Sequence, residues 1–403
     1  MMATQALSAP MADHAGIHVT RLRLAQYRSY AALDLAIDAA DRRPVLLLGP
    51  NGAGKTNLLE ALSFLAPGRG LRGARLEEVT RVGAPTPWAV HAELLIDGEA
   101  VRVGTGLVAG PPAAAGGDEE AAGPRRTVRV HGRPEGGPQS LARYLSLLWL
   151  TPAMDSLFVE AAAARRRFLD RIVLTLHPEH GRHVTAFEQA MRERNRLLAA
   201  RGCGADPAWL GALEARMAEQ AVAIAAARRD TVGHLGAAAA TGSDGFPGAT
   251  ITLAGWIEEQ LGSASALETE DTYRARLAAE RRRDAAAGRT GTGPHRSDLV
   301  VHHRDKAMPA ALCSTGEQKA LLVGLVLAHA RLVAALGPRP PMLLLDEIAA
   351  HLDPHRLGAL VALLAQLDSQ VWMSGTDAGA FRAHAGRLKA FAVESGRIAP
   401  YRL

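Results

Sequence analysis

The feature that most restricts the fold of this chain is the segment Leu46 to Leu65, LLLGPNGAGKTNLLEALSFL. It fills the pattern Gly-x-x-x-x-Gly-Lys-Ser/Thr at Gly49, Gly54, Lys55 and Thr56. An apolar run precedes the pattern and leucines at helical spacing follow it, which predicts a buried parallel strand, a glycine turn and a helix. Such a turn aims successive backbone N–H groups at one point, where the helix dipole also favours an anion. The sequence therefore predicts an α/β protein with a cradle for nucleotide phosphates.

The residues predicted to line this cradle are Gly49, Pro50, Asn51, Gly52, Ala53, Gly54, Lys55 and Thr56. The Lys55 ammonium is expected to contact the β- and γ-phosphates, and the Thr56 hydroxyl is expected to bind Mg²⁺. The alternative is a glycine-rich turn that matches the pattern by chance. The flanking strand and helix disfavour that alternative.

A second segment, PMLLLDEIAAHLD from Pro341 to Asp353, supplies the carboxylates that such a cradle needs. Its four apolar residues predict a buried strand that ends in Asp346 and Glu347, at the edge where α/β proteins bind ligands. Asp346 is expected to hold Mg²⁺, and Glu347 to act as general base on an attacking water. A strand that ends in two acids is common by chance, so this prediction depends on the phosphate loop.

A third segment, CSTGEQKALLVGLVLAHARLV from Cys313 to Val333, opens a strongly apolar helix. Its first turn presents the Ser314 hydroxyl, the Gly316 backbone and the positive end of the helix dipole. Because the first loop already holds a nucleotide, we interpret this turn as completing the site of another subunit. The alternative is an ordinary capping box, with Ser314 as N-cap and Glu317 three residues later.

These motifs together resemble the motifs of ATP-binding cassette proteins, in the form found in SMC-like ATPases. They most closely resemble those of the RecF family of bacterial DNA replication and repair proteins. Four further segments carry the resemblance, which extends over residues 17 to 403: QYRSY (26–30), GRGLRGAR (68–75), ARRRFLDR (164–171) and GPHRSDL (293–299). The fold it implies is an ABC-type P-loop ATPase head with a mixed sheet and a short helical arm.

The resemblance implies that the nucleotide is ATP with Mg²⁺ and that two heads form a homodimer around it. Lys55, Glu347 and Ser314 would be the catalytic residues, and Ser314 and Gly316 would contact the γ-phosphate of the partner's ATP. Asp353 would cross the dimer interface. Proteins of this family act at gapped DNA with RecR and RecO to help load RecA.

Two departures from the cassette pattern predict slow hydrolysis. The segment LLWLTPAMD (147–155) lacks the usual Gln, and Thr376 stands where a switch His is expected. The chain would then be a weak, DNA-stimulated ATPase that acts as a switch.

The pattern along the chain predicts four parts: a disordered tail over 1–16, an N-terminal head part over 17–151 that contains a disordered loop at 109–124, a helical arm over 152–288, and a C-terminal head part over 289–403. Within the arm, Asp206 and Pro207 predict a helix start, so that two helices turn back antiparallel. The first is expected to have about 19 residues, or about 28 Å. Another helix is predicted over 270–287.

Arginine clusters are the candidate DNA contacts. Net charge is +5, which permits a polyanionic partner without requiring one. The predicted contacts to a duplex or gapped DNA backbone are Arg69, Arg72, Arg75, Arg125, Arg126 and Arg129. Only 4% of residues are aromatic, which disfavours a single-strand stacking platform. The alternative for each cluster is a solvated or salt-bridged face. His295 in GPHRSDL is interpreted as part of a bracing or DNA-sensing loop.

Three other functions share some of these motifs. A transporter ATPase subunit is disfavoured by the helical insert and by the absence of the Gln and the switch His. A small-molecule kinase would not need the helix after Ser314. A purely structural SMC-like clamp would not need Glu347. No apolar run comes near the about 20 residues that span a bilayer, and the two cysteines indicate a reducing compartment, so we predict a cytoplasmic protein without a membrane partner.

Overall fold

The structure is a computed structural model that describes residues 16–108, 124–350 and 352–403. The predicted tail and the predicted disordered loop lie outside the described residues, apart from Gly16 and Pro124.

The strands are β1 (His18–Tyr27), β2 (Tyr30–Ala36), β3 (Val45–Leu48), β4 (Ala89–Ile96), β5 (Glu99–Val108), β6 (Arg125–Val130), β7 (Arg133–Pro134), β8 (Leu147–Leu150), β9 (Ala249–Ala254), β10 (Asp298–His303), β11 (Met308–Pro309), β12 (Met342–Leu345), β13 (Val371–Gly375), β14 (Lys389–Glu394) and β15 (Arg397–Pro400). The α-helices are α1 (Lys55–Ser63), α2 (Ala162–Leu176), α3 (His180–Arg201), α4 (Pro207–Ala239), α5 (Trp256–Gln260), α6 (Ala266–Ala279), α7 (Arg281–Ala287), α8 (Thr315–Leu336), α9 (Pro354–Leu364) and α10 (Ala378–Phe381).

The central sheet has the order β15-β14-β3-β13-β12-β8. Its strands pair in parallel except β15, which runs antiparallel to β14. The four-residue strands β3, β8 and β12 are apolar and buried throughout, as expected for strands that are covered on both faces. β13 lies between β3 and β12, so the two motif-bearing strands are not neighbours.

A second, antiparallel sheet has the order β2-β1-β4-β5-β6-β7. Buried and more exposed residues alternate along β4 and β6, because one face packs on the core and the other faces solvent. Its inner face shares a hydrophobic core with α1 and the central sheet, where Leu22, Leu94, Leu58 and Leu47 pack together. The predicted α/β architecture with a mixed sheet is confirmed.

Helix α8 covers the other face of the central sheet. It is long and apolar enough to cross a membrane by length and composition, so the prediction that no apolar run comes near that length was wrong. Within the described residues it is the one helix that passes this test, and 61% of its most apolar stretch is buried. Leu321, Leu325 and Val326 contribute to the core with residues of β12 and α2. The apolar residues of α8 therefore pack in the core of the head.

The predicted arm contains helices α2 to α7. Pro207 begins α4, and the Asp206 carboxylate accepts a hydrogen bond from the Ala208 N–H at 2.9 Å, which confirms this N-cap. Helix α3 has 22 residues and α4 has 33. Contacts between them pair late residues of one with early residues of the other, as in Arg194 with Glu214 and His183 with Gln220. The two helices are therefore antiparallel, as predicted.

Two parts of the arm differ from the prediction. β9 lies inside the segment predicted as helical and pairs antiparallel with β10, which joins the arm to the returning head segment. The predicted helix over 270–287 is two helices, because the chain leaves helical geometry at Glu280. After this break, Asp284 reaches the buried Arg194 at 2.8 Å. We call the buried residues around Arg194 the arm core; they also include Phe187, Met217, Tyr273 and Leu277.

Candidate nucleotide-binding site

The phosphate loop lies between β3 and α1, as the sequence predicts. Gly52 and Gly54 have φ angles of 80° and 113°, which favour glycine. At Gly49 an added Cβ would lie 2.2 Å from the Val393 carbonyl oxygen, so the neighbouring strand β14 requires glycine there. The Tyr30 hydroxyl donates to the Gly54 carbonyl at 3.0 Å, which explains how the QYRSY segment supports the loop.

Lys55 is 3% exposed. Its ammonium donates to the carbonyls of Gly49 and Pro50 at 2.8 and 2.9 Å. Burial lowers the pKa of Lys55, while the nearby carboxylates of Glu347 and Asp346 act in the opposite direction. The cation is therefore held over the loop by neutral groups and can exchange them for a stronger acceptor.

The Asp346 carboxylate connects the two motifs. Its Oδ1 accepts a hydrogen bond from the Thr56 hydroxyl at 2.9 Å and another from the Ser374 hydroxyl at 2.7 Å. Asp346 is 7% exposed and Ser374 is fully buried. The carboxyl ends of β3, β13 and β12 thus meet at one place, which we call the nucleotide edge.

Ser374 is the residue that sequence reasoning missed. It lies on β13, and its hydroxyl also accepts a hydrogen bond from the Glu347 N–H at 2.8 Å. A polar residue inside the buried run VWMSG was a signal, but only the strand order places it between β3 and β12. Glu347 follows with a φ of 47°, a sparsely populated conformation for a residue with a side chain. Ser374 therefore holds the Asp346 carboxylate and the Glu347 backbone in place. We call these two acids the DE pair.

The donors at the nucleotide edge fit a magnesium ion. Mg²⁺ prefers hard oxygen ligands, usually one or two protein groups together with phosphate and water. The Thr56 hydroxyl and the Asp346 carboxylate are 2.9 Å apart and provide such a pair. Elsewhere in the described ranges there is no group of three or more His, Cys, Asp or Glu side chains arranged to hold a metal.

Ser314 begins α8 in the capping box that the sequence offered as the alternative. Its hydroxyl donates to Glu317 at 2.9 Å, the Glu317 N–H donates back at 3.4 Å, and Lys306 pairs with the Glu317 carboxylate. The Ser314 side chain is exposed. A Cβ added at Gly316 would meet no atom within 4 Å, although glycine in a helix costs about 1 kcal/mol relative to alanine. Packing within the chain therefore does not explain this glycine.

Asp353 is the N-cap of α9. Its carboxylate accepts from the Arg356 N–H at 2.9 Å, a bond that lowers its pKa, and its side chain is 51% exposed. The position is accessible to another molecule.

The predicted DNA-contacting arginines fall into three groups. Arg69, Arg75, Arg125 and Arg129 are exposed and make no ion pair with any described residue. Arg72 is 39% exposed but is held by Glu60 at 3.2 Å and by Asn57 at 2.8 Å.

Arg126 is buried, so the prediction that it contacts DNA was wrong. Its guanidinium donates to the Gly68 carbonyl at 2.6 Å, to the Ala66 carbonyl at 3.1 Å, and to the Phe64 carbonyl. It also lies over the Phe64 ring, 5.1 Å from the centroid. Along β6, Arg125 and Arg129 point outward and Arg126 points inward, which period-2 alternation would have indicated.

GPHRSDL lies at the junction of arm and head. Arg165 of α2 makes two bonds of 2.7 Å to Asp298, and Arg166 donates to the Ser297 carbonyl at 2.8 Å. Burial lowers the pKa of His295 to about 4, and its Nε2 lies 3.0 Å from the Thr290 carbonyl. These contacts are those of a bracing loop.

Residues 45–129 match a family model described as AAA domain, putative AbiEii toxin, Type IV TA system. Proteins named DNA replication and repair protein RecF are similar over 95% of this chain and 98% of their own length: one from Rhizobium etli is 49% identical over 385 residues, and one from Rhizobium meliloti is 50% identical over 386.

Among solved structures, the recombination mediator protein RecF with ATP, in the RecFOR pathway, superposes with a TM-score of 0.79 at 17% identity and covers 98% of this chain and 100% of that one. An SMC head domain from Pyrococcus furiosus superposes with a TM-score of 0.52 at 15% identity and covers 96% of both chains. At these sequence identities, the two superpositions show that the folds are similar and nothing further.

Proposed function

Because this chain belongs to the RecF family of DNA replication and repair proteins, we propose that it is an ATP-dependent DNA-binding switch in recombinational repair and replication restart. The observation that carries the proposal is the nucleotide edge, where a complete phosphate loop meets a buried carboxylate through the 2.9 Å bond between Thr56 and Asp346. When bound, ATP supplies a reactive phosphoanhydride and Mg²⁺ neutralises its phosphate charge.

Each residue of the nucleotide edge has a separate role in this proposal. Lys55 leaves the carbonyls of Gly49 and Pro50 and pairs with phosphate oxygens, a stronger charge-assisted contact. Thr56 and Asp346 provide the oxygen ligands for the metal ion. Glu347 accepts the proton of the attacking water.

Ser374 positions both acids of the DE pair in this mechanism. Its hydroxyl donates to Asp346 and accepts from the Glu347 backbone. It touches neither substrate nor water in the proposed reaction, so we assign it a positioning role.

The second subunit completes the site through α8. Two features support an approach by another molecule at this turn: Ser314 is exposed, and a Cβ at Gly316 would meet no described side chain or neighbouring element. Leu312, just before it, is a large apolar side chain that is 72% exposed. In this proposal Ser314 and Gly316 contact the γ-phosphate of the partner's ATP, and Asp353 lies at the interface of the homodimer.

DNA binds through its backbone to the exposed arginines Arg69, Arg75, Arg125 and Arg129. Guanidinium contacts of this kind are salt-dependent and largely independent of sequence. Arg126 supports this surface from beneath, since it ties β6 to the carbonyls of residues 64–68.

We assign the head to residues 17–151 and 289–403 and the arm to 152–288, in a cytoplasmic protein with RecR and RecO homologues as partners. The partner assignment is supported by solved structures of RecF described within the RecFOR pathway. Slow hydrolysis then releases the dimer from DNA.

Fluorescence anisotropy with duplex, gapped and single-stranded probes tests the proposal. We expect ATP and Mg²⁺ to tighten binding to duplex or gapped DNA, and Lys55→Met to abolish that gain without changing binding in the absence of nucleotide. Binding that is unaffected by ATP in the unmodified chain would overturn the switch.

A further inference from the structure

A cleft of about 840 Å³ opens between the head and the first two arm helices. Its walls come from residues 66–73 after α1, from residues 139–157 around β8, and from residues 160–188 of α2 and α3. The volume lies within the about 300–1,000 Å³ of pockets that enclose a small ligand or the tip of a peptide. Residues 49–56 do not line it, so it is separate from the nucleotide edge.

Much of the wall is apolar. The side chains that carry this character include Leu71, Leu147, Met154, Leu157, Phe168 and Val184. Such a wall favours an apolar group of a ligand and offers little to a sugar–phosphate backbone.

Arg171 is the unusual residue of this cleft. Its guanidinium carbon lies 3.5 Å from the centroid of the Trp149 ring, and its Nη1 is 4.0 Å from the Met154 sulfur. No carboxylate of the described residues lies within ion-pair distance of it. Burial and the neighbouring Arg167 lower the pKa of Arg171 to about 9. Arg171 is partly buried. A charge that is partly removed from water without a counter-ion is destabilised, and an anionic ligand would offset that cost.

Three acidic side chains line the cleft: Glu160, Asp170 and Glu188. Asp170 accepts from Arg228 at 2.8 and 3.0 Å and from His180 at 2.8 Å. Glu160 accepts from the neutral Ser156 hydroxyl at 2.7 Å, and Glu188 lies 4.0 Å from Arg192.

Three more guanidinium groups line the cleft, on Arg69, Arg72 and Arg167. Arg72 is paired with Glu60, whereas Arg69 and Arg167 are exposed and neither forms an ion pair with any residue that the structure describes. Arg69, Arg167 and Arg171 therefore carry positive charge that no ion pair with a described residue neutralises.

Two buried polar atoms of the lining have no hydrogen-bond partner among the described residues, Nδ1 of His180 and Oε1 of Gln139. His180 is 2% exposed. Buried polar atoms normally have a partner, so these two indicate that a polar ligand belongs in the cleft.

We propose that the cleft binds a short acidic segment of a partner protein, with a carboxylate on Arg171 and an adjacent apolar side chain against Met154 and Phe168. A planar guanidinium binds a carboxylate through two parallel hydrogen bonds. Nucleic acid fits less well because Arg171 covers the Trp149 ring that a base would need for stacking. The proposal goes beyond the ATP switch and does not depend on it.

The test is a selection of ten-residue peptides from a randomised display library on the full-length chain without nucleotide, with counter-selection on Arg171→Met. We expect the enriched peptides to carry Asp or Glu beside an apolar residue. In anisotropy measurements, Arg171→Met should weaken a labelled selected peptide at least tenfold, as should replacement of its acids by amides. Arg196→Met, an exposed change on α3 outside the cleft lining, should leave the affinity unchanged.

The proposal would be overturned if no peptides were enriched over the Arg171→Met counter-selection, or if the enriched peptides lacked carboxylates. It would also be overturned if a 12-nucleotide single strand bound in an Arg171-dependent manner and displaced the peptide. Thermal unfolding checks that Arg171→Met is folded. Met154→Glu provides a second variant, because a carboxylate placed beside Arg171 within the chain should block the peptide; if the peptide still binds this variant with unchanged affinity, the proposed site is wrong.

Discussion

The nucleotide edge and the arm core both bury charged side chains, but their charges are balanced in opposite ways. Arg194 of the arm core is fully buried and is neutralised within the chain by Glu214 at 3.0 Å and Asp284 at 2.8 Å. At the nucleotide edge, the Lys55 ammonium donates hydrogen bonds only to carbonyls among the described residues, and the Asp346 carboxylate accepts from two hydroxyls.

This difference separates a structural ion cluster from a ligand site. Charges that neutralise each other hold helices together and leave nothing for a ligand. Charges that are held by neutral groups can exchange those groups for a ligand of opposite charge. Arg171 in the cleft belongs to the second kind.

The largest effect is expected from removing a charge of the arm core. Arg194→Met leaves Glu214 and Asp284 buried without their shared cation, and we expect the free energy of unfolding to fall by about 3–5 kcal/mol. Urea denaturation measures it. Arg192→Met, whose side chain is 62% exposed on the same helix, should change stability by less than about 0.5 kcal/mol. Equal effects of the two variants would contradict the structural role of the cluster.

The next effect concerns the nucleotide edge. Glu347→Gln keeps the shape of the side chain but removes the base, and we expect the rate of ATP hydrolysis to fall about 10²–10³-fold. Since ATP still binds, size-exclusion chromatography with ATP should show a trapped dimer. Lys55→Met should lose the dimer as well as hydrolysis. A Glu347→Gln chain that stays monomeric with ATP would rule out the proposed role of Ser314 in the partner's site.

Arg125 and Arg126 provide a matched pair on one strand. Arg126→Met leaves the carbonyls of residues 64–68 without their donor, so we expect a loss of about 2–3 kcal/mol in the free energy of unfolding. Arg125→Met should leave stability unchanged, weaken DNA binding uniformly across sequences, and reduce the slope of its salt dependence by about one. If Arg125→Met lowered stability and left DNA binding unchanged, Arg125 would not be a contact to the DNA backbone.

A smaller effect is expected at Ser374. Ser374→Ala removes the hydrogen bonds to Asp346 and to the Glu347 backbone, and we expect hydrolysis to slow about tenfold, or about 1.4 kcal/mol, with a smaller change in ATP affinity. Ser374→Thr retains the hydroxyl and should recover most of the rate. An alanine variant that hydrolyses ATP at the unmodified rate would remove Ser374 from the mechanism.

The last expected effect is a pH dependence from a buried histidine, which is spread over several pH units. Burial lowers the pKa of His329 to about 3, whereas in the unfolded chain it titrates near its ordinary value of 6.5. Below that value the unfolded state takes up a proton that the folded state does not, so stability falls with pH from 6.5 toward 3, by at most about 1.4 kcal/mol per pH unit. His329→Gln should reduce the fall of the urea midpoint between pH 7 and 5, to which the buried His295 also contributes. His355→Gln, an exposed control, should leave that fall unchanged.

Residues that are adjacent in sequence could be interpreted without the structure. The phosphate loop, the DE pair after a buried strand, and the Asp206 cap are local patterns, because a strand, a turn and a helix start depend on a few neighbouring residues. Their placement in an α/β head followed from the sequence.

Other features depended on which strands and helices become neighbours, and no local pattern contains that information. β13 enters between β3 and β12 from a distant part of the chain, and so Ser374 reaches both acids. β9 pairs with β10 across the arm and head. Arg126 and Arg171 carry the same guanidinium group as the exposed arginines, so residue type alone does not distinguish them.

What the sequence alone determined is the chemistry available at each motif, since residue type and local geometry follow from short segments. What only the tertiary structure decided is which charges remain available, since neutralisation depends on partners that are far apart in the chain. Arg194 finds Asp284 90 residues later, whereas Arg171 finds no carboxylate among the described residues. The two side chains are of the same type, so the difference between them comes from the partners that the fold brings to each from distant parts of the chain.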